Sequence, residues 1–228
     1  MSASTLLLPS PLLPALAYEP LVHALRDLGA EAMLAPGEVH DIEVSTELIA
    51  TWSALATPRH ILVAHSNAGY LAPTVRSRSR ASGVIFMDAA LPPRAGGTEL
   101  APPEFREDRE SRADHDGILP PWTRWWSRVD IGDVIPRDRF DEIDRLCPRL
   151  PLRYFAGRVT SPAGWADSGC AYLAFGTTYA AEQAFASAQN WPLDLLDGGH
   201  LHFMHDPAVV ADRLLALATA IAARENMS

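Results

Sequence analysis

The sequence predicts an α/β protein: a mostly parallel sheet of about six strands with helices on both faces. Three observations carry that expectation. Six short apolar runs have strand character, helical patterns lie between most of them, and one run leads through a tight small-residue turn directly into a helix. Strands that alternate with helices return to the sheet in parallel, because a two-residue turn can join only antiparallel neighbours.

Residues 5–8 form the first strand, followed by the loop Pro9-Ser10-Pro11-Leu12-Leu13-Pro14. No Lys or Arg precedes this apolar start and three prolines interrupt it, so it reads as strand and loop rather than as a secretory signal. A helix at 19–28 leads to a strand at 31–34, a helix at 45–55 to a strand at 60–64, and a helix at 67–76 to a strand at 83–87. After a long interruption come a strand at 170–175, a helix at 180–188 and a strand at 192–196. The last helix, 208–223, has apolar residues at 209, 210, 214, 217 and 221 on one face, and Asp206-Pro207 marks its start as a cap followed by proline at the first helical position.

Between Pro92 and Pro151 the rhythm stops. This stretch holds many prolines, a charge-rich patch at 104–116 and the cluster Pro120-Pro121-Trp122-Thr123-Arg124-Trp125-Trp126. A structureless loop of that length is unusual in a compact domain, so residues 93–150 read as an inserted lid with helix of its own, as at 138–146. The whole chain, 1–228, reads as one domain carrying that lid, with no internal repeat.

Composition narrows the partners. A chain of 228 residues with 48% hydrophobic and 8% aromatic residues is ordinary for a globular protein. Nineteen Lys and Arg against 28 Asp and Glu, a formal charge of −9, disfavour nucleic acid and anionic membranes, which need a basic face. A small-molecule acyl substrate, free or carrier-bound, fits better. No apolar stretch approaches the roughly 20 residues of a membrane span, and the two cysteines, Cys147 and Cys170, make no disulfide framework, so a cytoplasmic location is expected.

The chemistry concentrates at Ile61-Leu62-Val63-Ala64-His65-Ser66-Asn67-Ala68-Gly69-Tyr70, an apolar strand running into a small-His-Ser-x-small-Gly turn and then a helix. A serine on a strained strand-to-helix turn exposes its hydroxyl, and its neighbours must be small for the backbones to approach. Ala64 and Ala68 meet that need less generously than glycine. The competing reading of Ser66 is a simple helix N-cap. His200 follows the last strand through Gly198-Gly199, where a loop reaches back toward the turn. His202 and His205 lie close behind it, but one local histidine cluster without a remote Asp, Glu or Cys is a weak metal signature, and no metal or cofactor is expected. His65 reads as a structural residue behind the turn, and His23, His40, His60 and His115 fall in no motif.

With these residues in view, the order of elements, Ala64-His65-Ser66-Asn67-Ala68-Gly69, the segment from Val84 through Asp88 to Pro92, and Asp197-Gly198-Gly199-His200 resemble the α/β-hydrolase superfamily. More narrowly the chain is similar to small lid-bearing esterases, their hydroxynitrile-lyase relatives and short bacterial hydrolases of natural-product pathways. The likeness spans nearly the whole chain apart from the lid. It implies a three-layer fold, Ser66 as nucleophile and His200 as base, in the required order of serine, acid and histidine.

The acid departs from the pattern. Where the superfamily places Gly-x-x-Asp, this chain has Gly176-Thr177-Thr178-Tyr179, and tyrosine cannot balance an imidazolium as a carboxylate does. Asp88, at a strand end on the functional edge of the sheet, is the substitute; Glu182 is held in reserve, and a dyad without an acid stays open. For the oxyanion hole the resemblance gives the amide of Asn67 and a second donor from the loop after the first strand, where Pro9 and Pro11 have no N–H and Ser10 or Leu12 must serve. Trp122, Trp125 and Trp126 are expected either to wall an apolar pocket or to pack the lid on the body, and Trp165 and Trp191 carry the same ambiguity. The expected function is hydrolysis of an ester, thioester or lactone in a small molecule. A lyase, epimerase or cyclase on the same scaffold, and a silent ligand-binding protein, are the alternatives.

Overall fold

The computed structural model describes residues 4–37, 43–127, 131 and 134–225. His40 and five residues of the predicted lid, 128–130 and 132–133, lie outside that set. In chain order the main sheet and its helices are β1 (Ser4–Leu8), α1 (Glu19–Asp27), β2 (Glu31–Leu34), α2 (Val44–Leu55), β3 (His60–Ser66), α3 (Ala72–Ser79) and β4 (Gly83–Ala89). A segment follows that contains β5 (Gly96–Glu99), α4 (Pro103–Glu110), α5 (Phe140–Leu146) and β6 (Arg158–Ser161). The chain closes with β7 (Cys170–Phe175), α6 (Ala180–Ala188), β8 (Leu193–Leu196), the short α7 (His202–His205) and α8 (Pro207–Glu225).

The six strands align in the order β2-β1-β3-β4-β7-β8, every pair parallel. The four inner strands are buried at every position, whereas β2 and β8 at the edges alternate with exposed residues. Burial on both faces explains why the inner strands read as unbroken apolar runs. Two cores flank the sheet. Leu48 and Trp52 of α2 and Val75 of α3 join Phe86 and Tyr172 on one face. Leu21 and Leu25 of α1 and Leu214 and Ile221 of α8 join Met87 and Leu173 on the other. Adjacent residues 86 and 87, or 172 and 173, therefore serve opposite cores, as the two-residue period of a strand requires.

Two local readings differ from the sequence expectation. The helix predicted over 67–76 is a 3₁₀ turn, Asn67–Tyr70, followed by α3, because Pro73 has no amide to donate and sits in the first turn of a new helix. The root of the insertion is an antiparallel pair, with Gly96 opposite Ser161 and Glu99 opposite Arg158, that the glycine-rich sequence of β5 does not announce. No helix among the described residues is long and apolar enough to cross a membrane.

Chain order reverses between β1 and β3: from β1 the chain moves out to β2, then returns to β3 on the other side. In open parallel sheets, ligand sites form at the carboxyl ends of strands beside such a reversal. Ser66 ends β3 there, and Asp88 is the penultimate residue of β4.

Candidate active site

Ser66 has φ 57° and ψ −128°, a conformation costly for any residue with a Cβ. Its neighbours hold it there. The Ser66 carbonyl accepts the amide of Ala90 at 3.1 Å, and Gly69 lies so close to β4 that a Cβ on it would fall 2.0 Å from the Ala90 oxygen. Ala64 and Ala68 are fully buried, so alanine suffices at those positions. The Ser66 side chain makes no cap hydrogen bond to the turn, which removes the N-cap reading.

His200 bridges the two strand ends. Its Nε2 lies 3.1 Å from Ser66 Oγ and its Nδ1 2.6 Å from Asp88 Oδ2. A carboxylate only accepts, so Nδ1 carries the proton and Nε2 faces the serine hydroxyl as acceptor. Asp88 is fully buried, at φ 41°, and its second oxygen accepts the amide of Phe175 at 3.0 Å. Two directed hydrogen bonds fix the carboxylate. Glu182 lines the cavity instead of reaching the ring of His200.

Behind this trio runs a buried string of polar groups. The Ser10 amide donates to Tyr18 Oη at 2.8 Å, Tyr18 meets His65 Nδ1 at 2.8 Å, and His65 Nε2 meets the His200 carbonyl at 3.2 Å. Since a carbonyl only accepts, His65 carries its proton on Nε2, and the Tyr18 hydroxyl donates to Nδ1. His65 also stacks on His200 with centroids 4.7 Å apart. Burial, then the nearby His200, lowers its pKa well below the ordinary histidine value, so it stays neutral.

The same string corrects one expectation. The Ser10 amide is spent on Tyr18 in the interior, so that amide is not free to be an oxyanion donor. Leu12 lines the cavity with Ser66 and Asn67, and its amide makes only a long 3.4 Å contact to Ser10 Oγ. The Asn67 amide opens the 3₁₀ turn, where helical geometry offers it no partner. Its side chain spans to the insertion: Nδ2 donates to the Leu100 carbonyl at 2.7 Å and Oδ1 accepts from the Tyr154 hydroxyl.

Over Ser66 opens a cavity of about 540 Å³. One wall is apolar, with Phe105, Phe155 and all three of Trp122, Trp125 and Trp126. The tryptophans also pack the insertion, since the Arg109 guanidinium lies 4.9 Å from the Trp125 ring and 5.4 Å from that of Trp126. The two expected roles coincide. Trp191 instead stacks on Phe86 in the core, and Trp165 meets the same ring edge-on. The other wall is polar, formed by Tyr70, Thr178, Tyr179 and Glu182. Burial, with the Asp88 charge adding to it, raises the Glu182 carboxyl pKa. Tyr179 Oη stands 3.5 Å from Ser66 Oγ.

Sequence reasoning treated Tyr179 only as a missing aspartate; its position in the expected acid turn was the signal that it faces Ser66. Tyr18 and Tyr154 carried no signal. The three neighbouring histidines separate: His202 packs on Phe175 and His205 reaches the Val134 carbonyl at 3.1 Å, while His200 Nε2 lies 3.1 Å from Ser66 Oγ. Among the described residues, the one convergent trio of ligand-type side chains is the exposed Asp114, His115 and Asp116.

No protein-family profile matches the chain, and no curated protein matches its sequence. Solved structures do. An extracellular α/β-hydrolase from a Paenibacillus species, described as sharing structural and functional homology with tobacco salicylic acid binding protein 2, superposes with a TM-score of 0.71 at 14% identity, over 94% of this chain and 98% of its own. Tomato methylketone synthase I, solved with 2-tridecanone, gives 0.65 at 12% identity over 97% and 99%. A pyrethroid hydrolase gives 0.67 at 18% over 97% and 98%. What they share with this chain is the architecture, and the fold is that of the α/β-hydrolases.

Proposed function

We propose that the protein hydrolyses an ester, thioester or lactone bond in a small molecule, free or carrier-bound, by way of an acyl-enzyme on Ser66. The observation that carries the reading is the single imidazole of His200, held between Ser66 Oγ and the buried carboxylate of Asp88. His200 Nε2 takes the serine proton as Oγ attacks the carbonyl, and Asp88 stabilises the imidazolium that results. The amides of Asn67 and Leu12 receive the developing oxyanion. The imidazolium then passes its proton to the departing group, and water, activated by the same ring, releases the acid.

In this reading residues 93–150 act as a lid. Their apolar wall takes the acyl part and keeps water from the tetrahedral intermediate. A non-hydrolytic reaction on the same residues is the second reading, favoured by the engagement of the Ser10 amide with Tyr18, which leaves one backbone donor fewer for an oxyanion. It would use His200 to move protons and Ser66 to orient the substrate.

A fluorophosphonate probe with mass spectrometry tests the proposal. The expected result is a single adduct on Ser66, absent in Ser66→Ala, together with turnover of short-acyl chromogenic esters. An adduct that persists in Ser66→Ala would sink the nucleophile. A folded protein that neither labels nor turns over esters would favour the second reading.

A further inference from the structure

The cavity has a direction set by the sheet. Ser66 ends β3, with β1 on one side of it and β4, β7 and β8 on the other. Leu12, the second oxyanion donor in the proposed mechanism, comes from the β1 side. Tyr179 follows β7 and His200 follows β8, both on the opposite side. A tetrahedral carbon on Ser66 Oγ bears an oxyanion, an acyl substituent and a departing oxygen. The oxyanion points to the β1 side, and the departing oxygen must come within reach of His200 Nε2, which protonates it. That is the side of Tyr179.

We infer, building on the hydrolase reading above, that Thr178, Tyr179 and Glu182 form a leaving-group subsite in which the Tyr179 hydroxyl donates a hydrogen bond to the departing oxygen. The class of substrate follows. A phenolate leaves unaided, whereas an aliphatic alkoxide needs both a proton and a donor, so the fitting substrates are esters of aliphatic alcohols that carry further hydroxyl or amino groups toward Thr178 and Glu182. The acyl group, apolar and bulky, lies against Phe105, Phe155 and the tryptophans.

In the step itself the carbonyl carbon–oxygen bond breaks and its electron pair goes to the departing oxygen. The proton arrives from His200 Nε2, which had taken it from Ser66; Tyr179 keeps its own. The geometry suits such a part. Tyr179 Oη already faces Ser66 Oγ at 3.5 Å, a contact loose enough to be exchanged for substrate, and its ring lies 5.6 Å from that of His200. Burial raises the Tyr179 pKa, so the hydroxyl keeps its proton and remains a donor through the neutral range.

The experiment is a leaving-group series: one acyl group esterified to alcohols running from 4-nitrophenol to a polyol such as glycerol, measured in the parent and in Tyr179→Phe. In Tyr179→Phe, kcat/KM is expected to fall about tenfold for the aliphatic esters, several times more than for the nitrophenyl ester, which steepens the dependence on leaving-group acidity. In the parent that dependence is expected to be shallow, a reading that needs no variant. Equal losses along the series in Tyr179→Phe, or a steep dependence in the parent, would overturn the subsite while leaving ester hydrolysis intact. A parent that turns over no member of the series and does not label at Ser66 would bring down both readings.

Discussion

At the scale of single residues the site depends on groups whose protons are fixed by what faces them. Asp88 holds Nδ1 of His200 at 2.6 Å, so Asp88→Asn should leave the ring in the wrong tautomer and lower kcat about 10²-fold or more. Steady-state rates paired with thermal melts check this, because a buried residue at φ 41° also supports the fold; full activity in a folded Asp88→Asn would remove it from the mechanism. His65 makes a separate prediction. Its folded pKa is depressed, so below the unfolded value of about 6.5 the unfolded chain binds the extra proton. The stability tied to His65 is therefore full above that pH and is lost as pH falls below it, with a slope of up to about 1.4 kcal/mol per unit. Urea melts between pH 7.5 and 5 should show a steeper decline in the parent than in His65→Asn, and equal slopes would mean that His65 is not held neutral. That Ser66, Asp88 and His200 would come together was readable because residue type, strand ends and chain order constrain them jointly. The direction of the Ser10 amide was not readable, because sequence does not say where an amide points, and here it points inward to Tyr18.

Among elements, the turn after β3 is the most tightly specified. In Gly69→Ala the new Cβ would meet the Ala90 carbonyl oxygen at 2.0 Å and the Ala89 Cβ at 3.1 Å, and a backbone oxygen cannot swing aside. A loss of about 1–3 kcal/mol is expected by overpacking, with slower labelling of Ser66 as the elbow shifts. Gly199, in the loop that carries His200, has nothing within 4 Å of its would-be Cβ, so Gly199→Ala should alter stability by less than about 0.5 kcal/mol. Denaturant midpoints of the two variants decide the contrast. Inner strands and amphipathic helices were legible because double burial and helical period leave clear patterns. The β5–β6 pair was not, since Gly96-Gly97 offers no side chains to alternate, and α3 began later than expected because Pro73 outweighed the helical period around it.

Over the whole molecule, the body and the insertion meet along a seam that crosses the site. Asn67 reaches Leu100 and Tyr154 across it, and the thiol of Cys147 donates to the Leu12 carbonyl at 3.1 Å. Cys170 belongs to β7 in the interior. Burial raises both thiol pKa values, so neither reacts readily in the closed protein. If the insertion opens independently of the sheet, Cys147 should be alkylated at a rate insensitive to low urea, while Cys170 reacts only on global unfolding. Equal rates at all urea concentrations would show that the two parts open as one. The broken rhythm of the sequence marked residues 93–150 as an insertion but could not show this seam, because the contacts that make it are single side chains on distant loops. The location of Asp88 on β4 has a consequence for how such a protein changes over generations. If the leaving-group subsite is right, the carboxylate on a buried strand releases residues 176–182 from holding the base, and substitutions there are expected to shift the preference between alcohols rather than abolish turnover. A library randomised at Thr178, Tyr179 and Glu182 should therefore yield altered selectivity at high frequency, whereas one at Ser66, Asp88 and His200 should yield almost only dead clones.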